Sequence, residues 1–326
     1  KRGVLLAGGL PMEFPTVSIH ESFAHPTSMF LRNLMAMDTE EMIRAQPMDS
    51  VVLIGGCDKT IPAQLMAAAS ADVPAIVLPV GPMLVGHYQG EALGACTDCR
   101  RLWSDYRADR IGAAEIEVVN ERLAPTAGTC MVMGTASTIA CAVEALGMCL
   151  PLSATIPATH ADRIRSAEAS GRAAVTLAGN GPRPSEILTA AAFRNALIVT
   201  QSIGGSTNAL IHLTAIAGRL GIRIDLGEFD ELGRKVPVLI DLKPSGQHYM
   251  EHFHWAGGVP RLLRELEDLL EMNARTVVGT LADTMNAATE THAQTVIRPR
   301  SDPINASGSM AVLRGNLAPR GAIIKQ

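Results

Sequence analysis

The sequence has no excess of positive charge: 28 Lys and Arg stand against 32 Asp and Glu, a formal net charge of −4. Without a basic surface to displace counterions from phosphates, sequence-independent nucleic-acid binding lacks its main driving force, and no nucleic-acid partner is expected. Long apolar runs are missing as well. None reaches the roughly 18 to 20 residues that a membrane-crossing helix needs, and the opening Lys-Arg-Gly-Val-Leu-Leu has no completed signal-peptide pattern. A soluble, cytoplasmic protein with no membrane partner is therefore expected. No internal period marks a repeat protein. With 47% hydrophobic and only 18% charged residues the chain is too apolar to be disordered, and its 29 Gly and 19 Pro follow no fibrous pattern. Six cysteines in 326 residues suit reduced thiols in a core-forming chain better than a disulfide framework. The chain lacks an initial Met and stops at Ile-Ile-Lys-Gln with no terminator signal, so part of a longer polypeptide is expected.

What is present is an alternation of short β-branched runs with Ala-rich and Met-rich stretches, the order of βαβ units around a mostly parallel sheet. This predicts an α/β protein: a three-layer α/β/α domain over 1–284, followed over 285–326 by the start of a β-rich, barrel-like C-terminal domain. Val51 to Ile54 is the clearest strand, followed by the glycine turn Gly55-Gly-Cys57-Asp58-Lys59-Thr60 and a helix over 61–71. A second strand spans 75–78, and a polar loop then leads to Cys96. Helices are expected at 27–37, from a capping box at Asp38 and Glu41, and at 158–170, 185–194, 207–220 and 260–270. Another is entered from Gly128-Thr-Cys130 and carries Cys141, and a strand is expected at 236–242. After about Thr284, short Thr/Val/Ile runs broken by Pro299, Pro303, Gly308, Gly315 and Pro319 read as β structure too short to close a barrel alone.

Four places carry candidate chemistry. The turn at Cys57, Asp58 and Lys59 lies where a strand ends and a helix begins, where open parallel sheets bind ligands and helix N–H groups favour a thiolate or carboxylate. Three successive residues there could address two neighbouring centres; a buried cysteine beside a surface Asp–Lys pair is the plainer reading. Cys130 sits in the same kind of glycine-led turn, and two such cysteines resemble dispersed ligands of a cluster more than a zinc knuckle. Glu21 ends an extended run over 14–19 and is either a hard-metal ligand or an ordinary exposed carboxylate. The turn Ile203-Gly-Gly-Ser206-Thr207-Asn208 opens a helix, and its amides and hydroxyls suit a carboxylate or phosphate, or merely cap the helix. It is not a nucleotide-binding P-loop, because no Gly-Lys-Thr follows. Cys96 and Cys99 form a C-x-x-C pair without a second pair to complete a zinc site, and Cys141 and Cys149 read as core.

Taken in order, Gly-Gly-Cys57-Asp-Lys-Thr, Gly-Thr-Cys130-Met-Val-Met-Gly-Thr-Ala-Ser-Thr and Gly-Gly-Ser206-Thr-Asn resemble the dihydroxy-acid dehydratase and 6-phosphogluconate dehydratase family. Pro-Met-Glu-Phe-Pro-Thr, Arg-Ala-Gln-Pro-Met-Asp-Ser and Gly-Ala-Cys96-Thr-Asp-Cys-Arg-Arg are similar to its sugar-acid branch, the arabonate and xylonate dehydratases. The resemblance covers nearly the whole chain. It implies a two-domain hydro-lyase whose N-terminal α/β/α domain holds the cofactors and whose C-terminal barrel-like domain closes the site. It further implies an iron–sulfur cluster, [2Fe–2S] in this branch, held by three cysteines, with a magnesium ion beside it.

On that resemblance Cys57 and Cys130 match two cluster ligands, Glu21 and Asp58 match magnesium ligands, and Lys59 matches a lysine carbamylated to give another oxygen ligand. Ser206 and Thr207 are assigned to the substrate. A third cysteine, a further glutamate and the serine base would lie outside this chain, and Cys96 and Cys99 match no ligand. The implied reaction dehydrates a pentonate such as arabonate or xylonate to its 2-keto-3-deoxy acid, in a homodimer or homotetramer. Magnesium would clamp the carboxylate and 2-hydroxyl while an open iron binds the departing 3-hydroxyl, with no redox change. The rivals are a branched-chain dihydroxy-acid dehydratase, a non-catalytic thiol protein that binds metal or senses redox state, and a nucleotide-binding module on the Gly-Gly turns.

Overall fold

The computed structural model describes residues 1–56, 58–95, 97–288 and 292–326. It is an α/β structure in which strand β1, Val51–Gly55, pairs in parallel with β2, Ala75–Pro79, in the register Val51↔Ala75 to Gly55↔Pro79. β2 is buried along its whole length and β1 alternates, so β1 keeps one face toward the core and leaves Ile54 outside. Helix α1, Arg32–Ala45, precedes β1, and α2, Thr60–Ala71, joins the two strands. α2 is almost entirely buried, and its run of alanines lets neighbouring backbones approach closely. Asp72 ends it in the left-handed region, and the Asp72 carboxylate then accepts from the Ser185 amide at 2.9 Å and hydroxyl at 3.0 Å.

After β2, the short strands β3, Gly86–Tyr88, and β4, Glu91–Leu93, form an antiparallel hairpin. It leads to α3, Asp98–Arg107, whose first turn carries Cys99. The expected polar loop before Cys96 is thus partly structured, and a helix follows a strand here; Cys96 itself lies outside the described residues. α4, Thr135–Ala145, is buried nearly all round and packs on α6, Ala190–Ser202, and α7, Asn208–Arg219; α5, Ala161–Asn180, runs along β2. Cys141 and Cys149 are buried in this core. The antiparallel pair β5, Met310–Leu313, and β6, Ala322–Lys325, closes the chain.

Among the described residues the one parallel ladder is β1 with β2, beside isolated parallel bridges at Pro82–Thr129 and Leu242–His248; the other ladders are antiparallel pairs and, as expected of so short a C-terminal stretch, no barrel is closed. Some element boundaries are corrected. The predicted strand over 236–242 makes only isolated bridges, at Val238, Ile240 and Leu242. Asp38 opens no helix. It lies inside α1, where its carboxylate accepts the Val17 amide at 2.8 Å, so the capping-box spacing was satisfied by a tertiary contact instead. Helix α5 runs ten residues beyond the expected end because Ala173, Ala174 and Leu177 continue its packed face. No helix among the described residues is long and apolar enough to cross a membrane.

One buried carboxylate stands behind the strand ends. Glu144, fully enclosed in α4, accepts the amides of Leu152 at 2.7 Å and Ala154 at 3.0 Å. Burial raises its pKa to about 7, only partly offset by those amides and by Arg163. The Arg163 guanidinium donates to the carbonyls of Pro79 at 2.6 Å and Ser153 at 3.0 Å, which fixes the exit of β2. A raised carboxyl pKa favours the neutral form in the fold, so the fold loses stability as pH climbs from about 4.5 to about 7. Glu144→Gln removes that dependence. Denaturant unfolding of parent and variant across this range should show their stability difference change by roughly 3 kcal/mol; a constant difference contradicts it.

Candidate active site

The exit of β1 is crowded enough to require glycine. A Cβ on Gly56 would lie 2.2 Å from Val80 Cγ2 and 3.2 Å from Thr129 Cγ2. The Val80 amide donates to the Gly55 carbonyl at 3.0 Å, the Thr129 amide to Gly81 at 2.9 Å, and the Met83 amide back to Thr129 at 2.9 Å. The turn that carries Cys57 and the loop that carries Cys130 are therefore laid side by side on the ends of the parallel pair. Gly56, Val80, Gly81, Thr129 and Ser137 line a narrow crevice between them. Cys57 itself lies outside the described residues. Cys130 is half-buried, and its carbonyl accepts from the Ser137 hydroxyl at 3.3 Å. It stands in a loop ahead of α4, which begins at Thr135, rather than at the helix entrance itself.

The next two residues of the β1 turn meet Glu21. The Lys59 ammonium, 3% exposed, lies 2.6 Å from Asp58 Oδ2 and 3.2 Å from Glu21 Oε2. Burial would lower the lysine pKa, but the two carboxylates overcome it and the net direction is up, so the amine is held as an ammonium. Glu21 lies in the short turn Glu21–Phe23 and accepts from the Ser28 hydroxyl, from the Ser28 amide at 3.1 Å and from the Thr27 hydroxyl at 2.8 Å. These bonds, Ser28 foremost and then Thr27, with Lys59 adding to them, depress its pKa to about 2. The Ser18 and Thr60 hydroxyls, 2.7 Å apart, tie the segment before Glu21 to the start of α2. Two carboxylates thus converge on one enclosed positive charge.

The Ser206 turn is built differently from expectation. Its amide is taken by the Thr138 hydroxyl at 3.0 Å, so it offers no open N–H cradle at that position. The Ser206 hydroxyl lies 2.8 Å from that of Thr135, which also accepts the Asn208 side-chain amide at 3.2 Å. Thr207 precedes α7 without a side-chain cap bond. The result is a linked set of hydroxyls on the first turns of α4 and α7, one turn away from the Cys130 loop.

The sequence reading missed His212. It is fully buried in α7, its Nδ1 is 3.1 Å from Arg32 Nη1, and burial, then the charges of Arg32 and Lys59, lower its pKa to about 4. A lone histidine in the apolar run Asn-Ala-Leu-Ile-His-Leu was the available signal. Among the described residues, no three His, Cys, Asp or Glu side chains gather at metal-binding distance.

Comparison with known proteins defines the class. The dihydroxy-acid/6-phosphogluconate dehydratase N-terminal family matches residues 1–285, and the C-terminal family of the same name matches residues 295–326. The chain belongs to this family. It is 48% identical over 329 residues to the L-arabonate dehydratase of Azospirillum brasilense and 40% identical over 328 residues to the 6-deoxy-6-sulfo-D-gluconate dehydratase of Pseudomonas putida. It is 38% identical over 336 residues to the dihydroxy-acid dehydratase of Halothermothrix orenii. Each alignment covers 100% of this chain but only 56%, 57% and 60% of the respective relatives, so the chain spans somewhat more than half their length.

The pKa of Glu21 gives a direct check of the site. Stability from a depressed carboxyl is present above about 4.5 and is lost as pH falls through about 2. Ser28→Ala should move the Glu21 titration, followed by NMR, upward by about one unit or more; an unmoved titration would show that the serine is not its main partner.

Proposed function

We propose that this chain is the cofactor-binding part of a hydro-lyase that dehydrates a sugar acid, a pentonate such as arabonate or xylonate, to its 2-keto-3-deoxy acid. The observation that carries the reading is the convergence of Glu21, Asp58 and Lys59 at the end of β1, beside the loop of Cys130. Relatives named for arabonate and sulfogluconate support a sugar acid over the branched-chain dihydroxy acid. The polar set of the Ser206 and Thr135 hydroxyls and the Asn208 side-chain amide supports it too, because a polyol tail finds partners there that an aliphatic tail does not use. On this reading the parallel pair belongs to a three-layer α/β/α domain over 1–284, and 285–326 begin a barrel-like domain that closes over it.

The donor set fits magnesium. Glu21 and Asp58 present hard oxygen ligands around a position already filled by one positive charge, the Lys59 ammonium. Loss of two protons and uptake of carbon dioxide would turn that ammonium into a carbamate, a third oxygen donor. Cys57 and Cys130 would supply thiolates to an iron–sulfur cluster, [2Fe–2S] in type, for which soft sulfur ligands are suited. When bound, the two groups supply Lewis acidity toward the carboxylate and 2-hydroxyl on one side and the departing 3-hydroxyl on the other.

The chain's own residues have three tasks. Ser28 and Thr27 hold Glu21 ionised and fixed in direction, so the negative charge at the site survives at any physiological pH. The β1 turn sets Asp58 and Lys59 against Glu21, and Cys57 directly precedes them in sequence. Ser206 and Thr207 would orient the hydroxylated end of the substrate. Proton removal from C2 would fall to a base outside this chain, since Lys59 offers no free amine either as the ammonium seen here or as a carbamate.

A panel of pentonates, hexonates and dihydroxyisovalerate, assayed for keto-acid release with the full-length protein, should show pentonates preferred. Asp58→Asn should lower kcat/KM by about a thousandfold or more with the fold retained. Preference for dihydroxyisovalerate would replace the sugar-acid reading, and full activity in Asp58→Asn would remove the metal role.

A further inference from the structure

A second polar cluster lies on the other side of the Cys130 loop and is used by none of the steps above. The Asp98 carboxylate, at the first residue of α3, is buried, and its Oδ2 accepts the Gly94 amide at 2.8 Å. The same oxygen lies 3.3 Å from the Lys243 ammonium and 3.1 Å from the Tyr249 hydroxyl. Lys243 also donates to the Tyr249 oxygen at 2.8 Å, and its ammonium sits 4.7 Å from the centre of that ring. Tyr249 is 1% exposed, and its hydroxyl also reaches the Ala92 carbonyl at 3.2 Å. Three groups from two distant segments, 92–98 and 243–249, are thereby locked together in a site of low dielectric, where such bonds are strong and hard to replace.

Those two segments and the adjoining Met250 grip the far flank of the Cys130 loop, whose near flank is held at Thr129 by Gly81 and Met83. The Ala95 amide donates to the Met131 sulfur at 3.2 Å, the Met250 amide to the Met131 carbonyl at 2.9 Å, and the Met133 amide to the Lys243 carbonyl at 2.8 Å. Val85, Met131, Val132 and Tyr249 form one buried apolar cluster against which Cys130 packs. The loop has no regular secondary structure of its own between Thr129 and Thr135, so these contacts set where Cys130 stands.

We propose that Asp98, Lys243 and Tyr249 are positioning residues for the Cys130 thiol, a cross-brace that presets it for iron. The iron part of this inference rests on the cluster role proposed above for Cys130; the bracing part does not. Loss of the brace lets the loop move locally while the core around α4 stays closed, because Cys141 and Cys149 belong to a different packed cluster.

The test uses the full-length protein in parent, Tyr249→Phe, Lys243→Met and Lys243→Arg forms. In the metal-free proteins, alkylation by iodoacetamide is followed cysteine by cysteine by peptide mass spectrometry, with buried Cys141 as the internal control of folding. Tyr249→Phe and Lys243→Met should each raise the Cys130 rate roughly tenfold with Cys141 still protected, and Lys243→Arg should return most of the protection. In the iron- and sulfide-reconstituted proteins, the same two variants should show altered EPR of the reduced cluster and faster loss of iron to a chelator. Cys130 rates within about twofold of the parent in variants that keep Cys141 protected would overturn the proposal. If Lys243→Met exposes Cys141 as well, Tyr249→Phe, which removes a single oxygen, decides alone. A parent protein that takes up no iron defeats the cluster reading and leaves the alkylation comparison to decide the brace.

Discussion

One enclosed ammonium holds the site together. Lys59 brings its charge between Glu21 and Asp58, and the three come from two segments whose course the fold must fix: the short turn at Glu21 and the bend between β1 and α2 that supplies both Asp58 and Lys59. Two carboxylates at such a separation repel unless a cation lies between them, and a buried lysine is unfavourable unless anions lie beside it. Each charge therefore makes the others tolerable. On the proposed reading, a carbamylated Lys59 and the two carboxylates would instead share a divalent cation.

The scaffold delivers this geometry through close backbone approach. Gly56 permits the bend after β1 to lie against Val80 and Thr129, which brings the Cys130 loop to the same place as the Asp58–Lys59 turn. Behind the strand ends, Arg163 and Glu144 satisfy the carbonyls and amides that β2 and the segment after α4 leave exposed to the core. On the far side, the segments tied together by Asp98, Lys243 and Tyr249 contact the remaining flank of the loop through Ala95, Met250 and the Lys243 carbonyl. The site is thus held from three directions by bonds that are mostly to backbone, which fixes position better than contacts between flexible side chains.

Much of this was legible in the sequence because the signals are local. A β-branched run, two glycines and an alanine-rich helix gave β1 and α2 nearly to the residue. The helix over 207–220 was equally plain from its apolar period and matches α7 within a residue at each end. What was not legible depends on partners far away in sequence. The Asp38–Glu41 spacing reads as a cap until Val17 arrives to take the Asp38 carboxylate. The run at 236–242 has strand composition but finds only scattered bridges, since its neighbours are a loop near Ile297 and Asn305 rather than a strand. The Ser206 amide looks open in the sequence and is closed by Thr138, 68 residues away. His212 and the Asp98 cluster were missed for the same reason, as single polar residues whose meaning lies in a contact partner more than 140 positions away.

The central proposal is that Lys59, between Glu21 and Asp58, becomes a carbamate ligand to a divalent cation. Its most direct test is NMR of the full-length protein with isotope-labelled bicarbonate, with and without magnesium. A carbamate signal that strengthens with magnesium and vanishes in Lys59→Gln is the result expected. No carbamate signal in any condition, with magnesium affinity unchanged in Lys59→Gln, would contradict it.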